Sequence, residues 1–187
     1  MKLFFAALLL LGLSALFGDT GNGFRTIQFG TDRQTVIEEI FKLGYDVQGQ
    51  SSDRICIPVF MMGDLPVEVN FLFNRNDKFY SLEFRTGRID VKRINKLFEA
   101  VDYLSDQFAL KYGNPNRRYS INESNIQSGI HNIYREWTSD KNYNIYTALV
   151  ENDLRYYTIG VVTHQALAQE APEEKEQSRK IQKSAAF

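Results

Sequence analysis

The sequence predicts an α+β fold: an antiparallel β-sheet with two amphipathic helices packed on one face. Two segments repeat apolar residues at helical spacing, Val36/Ile37/Ile40/Phe41 and Ile94/Leu97/Phe98/Val101/Leu104/Phe108. Others alternate apolar and polar positions as strands do, most clearly Val67/Val69/Phe71/Phe73 and Tyr80/Leu82/Phe84. Clusters of turn residues separate the strands, as at Gly63-Asp64-Leu65-Pro66 and Asn74-Arg75-Asn76-Asp77.

In chain order, Phe24 to Phe29 is a short strand-like stretch. Thr31 then begins a helix, with Thr31 and Gln34 at capping-box spacing and Gly44 at a left-handed stop. Strands follow at Tyr45–Gln50 and Arg54–Phe60, then the hairpin on either side of Asn74–Asp77. Asp90 is placed to cap the second helix, and Gly113 and Pro115 to end it. Arg117–Asn122, Asn132–Thr138, Tyr143–Val150 and Leu154–Thr163 are the remaining strands, with turns at Ser139–Asn142 and Glu151–Asp153. Helix then meander thus occurs twice, and Lys42-Leu43-Gly44-Tyr45 resembles Lys111-Tyr112-Gly113-Asn114. A duplicated helix–meander unit and one continuous sheet both fit this order.

Residues 1–18 have the form of a secretory signal peptide. Lys2 is followed by the apolar run Leu3–Leu13 and the small residues Ser14, Ala15 and Gly18. The run is shorter than the roughly 20 residues a spanning helix needs. The expected product is periplasmic or secreted, with no stable membrane insertion after cleavage. Residues 19–163 form the expected α+β domain. Residues 164–187 are a charged C-terminal tail, mobile or partly helical, with Glu176 and Lys180 at a stabilising spacing.

Composition narrows the chemistry. The chain carries 22 basic against 23 acidic residues, so no global field draws it to nucleic acid. Fourteen Phe and ten Tyr with four Pro suit a packed sheet. Cys56 is the single cysteine, and its neighbours Ile55, Ile57 and Val59 predict a buried, inert thiol. His131 and His164 are the two histidines, too few with one Cys for a standard zinc set. No cofactor or metal is expected. No phosphate loop or nucleophile elbow is present, and Glu38-Glu39 lack the separation and burial that acid–base work needs. Asn122-Glu123-Ser124 matches the N-glycosylation triplet.

Arginines and aromatics interleave at Arg117-Arg118-Tyr119, Tyr134-Arg135-Glu136-Trp137 and Arg155-Tyr156-Tyr157. Strand alternation would gather such aromatics on one face, which makes Trp137, Tyr134, Arg135, Tyr146, Arg155 and Tyr156 the candidate interaction surface.

Phe24-Arg25-Thr26-Ile27-Gln28-Phe29-Gly30-Thr31 before an acidic helix resembles the opening of small exported bacterial proteins. Tyr112-Gly113-Asn114-Pro115, followed by a Trp-bearing strand at Trp137, is similar to their second half. Over residues 24–163 the element order resembles β-lactamase-inhibitor-protein-like and SmpA/OmlA-like envelope modules. The resemblance implies helices on one sheet face, a partner on the other and no catalytic residues. The lipid-attachment cysteine of many envelope modules has no counterpart here. The expected function is therefore a non-catalytic binding module that contacts another envelope or secreted protein. The alternatives are a hydrolase acting on cell-wall or sugar substrates and a carrier of a small apolar ligand.

Overall fold

The computed structural model describes residues 23–138, 142–153, 155–170 and 181–182. The signal segment, part of the turn at 139–142 and most of the tail lie outside the described residues.

The fold is α+β, built on an antiparallel sheet. Phe24 to Phe29 is not one strand but a tight hairpin, β1 (Gly23–Phe24) and β2 (Ile27–Gln28). Arg25 turns the chain at φ +52°, and its guanidinium donates to the Tyr45 hydroxyl at 3.0 Å. Helix α1 (Arg33–Lys42) follows. Its cap is Asp32, not Thr31: the Asp32 carboxylate accepts from the Thr35 amide at 2.9 Å. The Thr31 carbonyl is engaged elsewhere, accepting from the Phe79 amide, which holds that residue outside the helix. Gly44 takes the left-handed conformation (φ +82°) that ends α1, as expected.

The first meander is β3 (Gln48–Ser51), β4 (Arg54–Met62), β5 (Leu65–Phe73) and β6 (Phe79–Thr86). A two-residue strand, β7 (Ile89–Asp90), then pairs far across the sequence with Arg155 and Tyr156. This pairing moves the start of helix α2 (Ile94–Tyr112) beyond the expected cap. Asp90 caps a single 3₁₀ turn at Val91–Arg93 instead, accepting from the Lys92 amide at 2.9 Å. After α2, the expected strand Arg117–Asn122 shortens to β8 (Arg117–Arg118), because Asn122 caps a 3₁₀ turn at Glu123–Asn125. The second meander is β9 (His131–Thr138), β10 (Tyr143–Asn152) and β11 (Arg155–His164). It leads into the short helix α3 (Gln165–Ala168), and β12 (Ile181–Gln182) pairs with β9.

Apart from the β1–β2 hairpin, the described strands form one continuous sheet in the order β12-β9-β10-β11-β6-β5-β4-β3, with β7 paired to β11 and β8 to β9. The last strands of the two meanders, β6 and β11, pair antiparallel from Ser81↔Thr163 to Ile159↔Arg85. Both helices pack on the same face. Val36 and Ile40 of α1 share one core with Leu104 and Phe108 of α2 and with Phe60, Phe71 and Phe84 of the sheet. The Phe24 ring meets those of Phe60 and Phe71 edge-on, each at 5.3 Å.

Helix α2 approaches the sheet closely because β11 carries Gly160. A Cβ there would lie 2.6 Å from the Phe108 ring. The body of the protein extends past the expected boundary at His164. The Glu170 carboxylate accepts from Asn74 Nδ2 at 3.1 Å and Asn76 Nδ2 at 2.6 Å, tying residues 165–170 to the β5–β6 turn.

Gly160→Ala is expected to cost about 1–3 kcal/mol in urea unfolding through overpacking. Trimming the opposing ring in the double variant Gly160→Ala/Phe108→Leu should make the two losses less than additive.

Candidate interaction surface

The structure does not gather the six residues expected to form one surface. Trp137 pairs with Ile145 and Tyr146 with Glu136, so strand alternation sends the two aromatics to opposite faces. Trp137 is buried in the helix-side core, where its ring lies 5.8 Å from Phe108 and its Nε1 donates to the Gly113 carbonyl at 2.7 Å. Tyr146 is buried on the second face, its hydroxyl 2.9 Å from His131 Nδ1.

A bulge displaces the middle of β9. Arg135 pairs with Thr147 and Ile133 with Ala148, which leaves Tyr134 as the extra residue. Tyr134 donates to Asp102 of α2 at 2.7 Å. The Arg135 guanidinium lies over the Tyr134 ring at 3.7 Å, with Asp102 3.9 Å away. Burial, then the hydrogen bond to Asp102, pushes the Tyr134 hydroxyl above its ordinary range. Tyr156 packs beside Leu97, Val101 and Leu149 on the helix side. Arg155 is exposed at the β10–β11 turn. Five of the six therefore serve packing or the α2–β9 contact, and Arg155 stands apart from them.

The second sheet face is apolar as well. Tyr119, Ile133, Tyr146, Ala148, Val150, Ile159 and Val161 form a buried cluster on it. Towards β4 and β5 this face becomes exposed. A bulge sets Pro58 and Val59 together opposite Glu68, between the pairs Ile57↔Val69 and Phe60↔Val67. Phe60 and Met62 turn into the helix-side core, while Val59 is 64% and Met61 52% exposed. Pro66, paired with Met61, is exposed beside them. Pro58, Val59 and Pro66 wall a groove of about 390 Å³ that is also lined by Val67 and Glu68 of β5 and by Arg85, Thr86, Gly87 and Arg88. The Arg85 guanidinium is held in place over the Tyr157 ring at 4.0 Å. β3 pairs with β4 at Arg54 and Cys56, and among the described residues no strand pairs with the outer side of Ile57–Met62.

This patch was legible in part. A proline inside an apolar run marks an edge strand or a bulge, and Pro58 is both. The exposure of Val59 and Met61 was hidden, because the run Ile55–Met62 is apolar on both faces.

The remaining chemistry is structural. Cys56 is buried, and burial with the nearby Glu68 carboxylate pushes its thiol up to about 11. Among the described residues no group of three or more His, Cys, Asp and Glu side chains is placed to hold a metal ion. The Asn74–Asp77 cluster serves its turn: Asn74 Oδ1 accepts from the Asn76 and Lys78 amides, and Asp77 pairs with Arg33 at 2.6 Å. Among the described residues no helix is long and apolar enough to cross a membrane. No family model, characterised protein or solved structure matches the chain.

Two outcomes follow from these placements. Trp137→Ala should lose about 3–5 kcal/mol in denaturant unfolding, the cost of emptying a core site. An unchanged midpoint would contradict its burial. Burial also lowers the Lys111 amine from 10.5 to about 8. The folded state then binds fewer protons than the unfolded state between those values, so this group adds stability as pH rises from about 8. Urea midpoints of wild type and Lys111→Met, compared at pH 7 and pH 9.5, should converge at the higher pH, with the variant the more stable at pH 7.

Proposed function

We propose that this is a non-catalytic, exported binding module, periplasmic or secreted, that contacts another envelope or secreted protein. The observation that carries the proposal is the exposed apolar end of the second sheet face at β4. There Val59 and Met61 stand out beside a backbone edge that no described strand pairs. Exposed apolar surface of this kind, rimmed by polar groups, is characteristic of interaction sites. The unpaired edge selects the form of the partner: an extended segment that adds as a strand, with main-chain hydrogen bonds for affinity and apolar contacts for register. Pro58 removes one donor from this edge and limits indiscriminate pairing. Export is supported by the Lys2, Leu3–Leu13 and Ser14/Ala15/Gly18 pattern of the N-terminal segment. The helix–sheet interior, filled by Phe24, Phe60, Phe71 and Phe84, weighs against carriage of an apolar ligand there.

Extended peptides selected on the folded protein from a displayed library provide the test. Bound peptides should protect the Val59–Met62 amides from hydrogen exchange and should fail to bind Val59→Lys/Met61→Lys. Equal binding to that variant, protection confined to β9 and β10, or no binders at all would contradict the proposal.

A further inference from the structure

Four cationic side chains, Arg88, Lys92, Arg93 and Lys96, line one cavity of about 460 Å³ with Ile89 and a single carboxylate, Asp90. One Asp90 oxygen is already occupied by the Lys92 amide. Among the described residues Lys96 has an ion pair, to Glu99 at 2.6 Å, whereas Arg88, Lys92 and Arg93 have none. The start of α2 adds to the same sign. Its N-cap residue is Arg93, no side chain caps it, and its first turn holds no acidic residue. Helices usually place acidic groups there, against the positive end of the backbone dipole. The chain as a whole is close to neutral, so this concentration of charge is local.

Arg88 lines the groove beside β4 as well, together with Pro58, Val59 and Pro66. The two depressions are therefore neighbours that share Arg88, one walled by Pro58, Val59 and Pro66 with Glu68 also in its lining, the other cationic. We infer that the segment docking at β4 is an acidic peptide, whose apolar residues rest on Val59, Met61 and Pro66 and whose Asp or Glu side chains enter the Arg88–Lys96 cavity. The inference rests on the docking proposed for β4 and names the chemistry of the partner. The observations favour a peptide over an anionic membrane surface because the four cations line a depression, not a flat face, and this depression shares Arg88 with the groove beside Val59. Charge complementarity of this kind raises association rates and rejects partners of the wrong sign more than it adds affinity.

A displayed library tests this. Each clone joins an alternating apolar half to a randomised half, and selection is run on the full protein, on Arg88→Gln/Lys92→Gln/Arg93→Gln and on Val59→Lys/Met61→Lys. On wild type the randomised half should become enriched in Asp and Glu. On the triple glutamine variant that enrichment should vanish while apolar-half binding persists, and an acidic clone should bind about tenfold more weakly. The difference should also shrink at high salt. Clones without acidic enrichment, or with the same enrichment on the triple variant, overturn the inference and leave β4 docking intact. Clones that do not distinguish wild type from Val59→Lys/Met61→Lys overturn the docking itself. In a separate arm, vesicles of phosphatidylglycerol and phosphatidylcholine are offered to wild type and the triple variant. Binding that depends on the three cations, without peptide preference, assigns the cavity to a membrane surface and overturns the peptide.

Discussion

The pairing of β6 with β11 turns two meanders into one sheet. The seam is closed by a hydroxyl pair on each side of the sheet. Ser81 and Thr163 meet at 2.6 Å on the second face, both buried. Thr86 and Thr158 meet on the helix face, where the Thr158 amide also donates to Thr86 Oγ1 at 2.9 Å. Each such bond contributes about 0.5–1.5 kcal/mol, but leaving either hydroxyl buried without its partner costs more, so the pairs fix register. Gly160 and Phe84 face each other across the same seam, and Phe108 of α2 rests on both. The two helices share one core because the two meanders share this pair of strands.

The candidate site inherits its position from the seam. The groove beside Val59 is walled by the end of β6, and the cationic cavity lies in the connection that leaves β6 at Thr86 and enters α2 at Ile94. β7, within that connection, is pinned to the start of β11. Slippage of β6 against β11 would move the cationic cavity, tied through β7 to β11, relative to β4. The site is thus held by strands on each side of the seam even though its apolar half belongs to the first meander alone.

Much of this was legible in the sequence. Periodicity located both long helices, the two meanders and the burial of Cys56, because those features depend on local alternation. What local pattern cannot give is where the chain is claimed by distant partners. The Thr31 carbonyl is engaged by Phe79, so the cap moves to Asp32. Asp90 is drawn into a strand with Arg155, so α2 begins later than its cap signal. The same limit explains the surface. Whether Trp137 and Tyr146 share a face depends on register, and one bulge at Tyr134 disturbs the parity that an aromatic count assumes. An aromatic-rich strand was therefore a guide to the core, while exposure at Val59 and Met61 followed from a bulge and a missing neighbour.

Native-state hydrogen exchange tests most directly whether the β6–β11 seam makes the chain one cooperative unit. The seam amides of Leu82, Phe84, Gly160 and Val162 should exchange last. The most protected amides of β5 and of β10 should open with the same free energy as the seam and respond equally to added denaturant. Distinct opening energies for the β4–β5 and β9–β10 halves, with the seam following only one of them, would contradict that account.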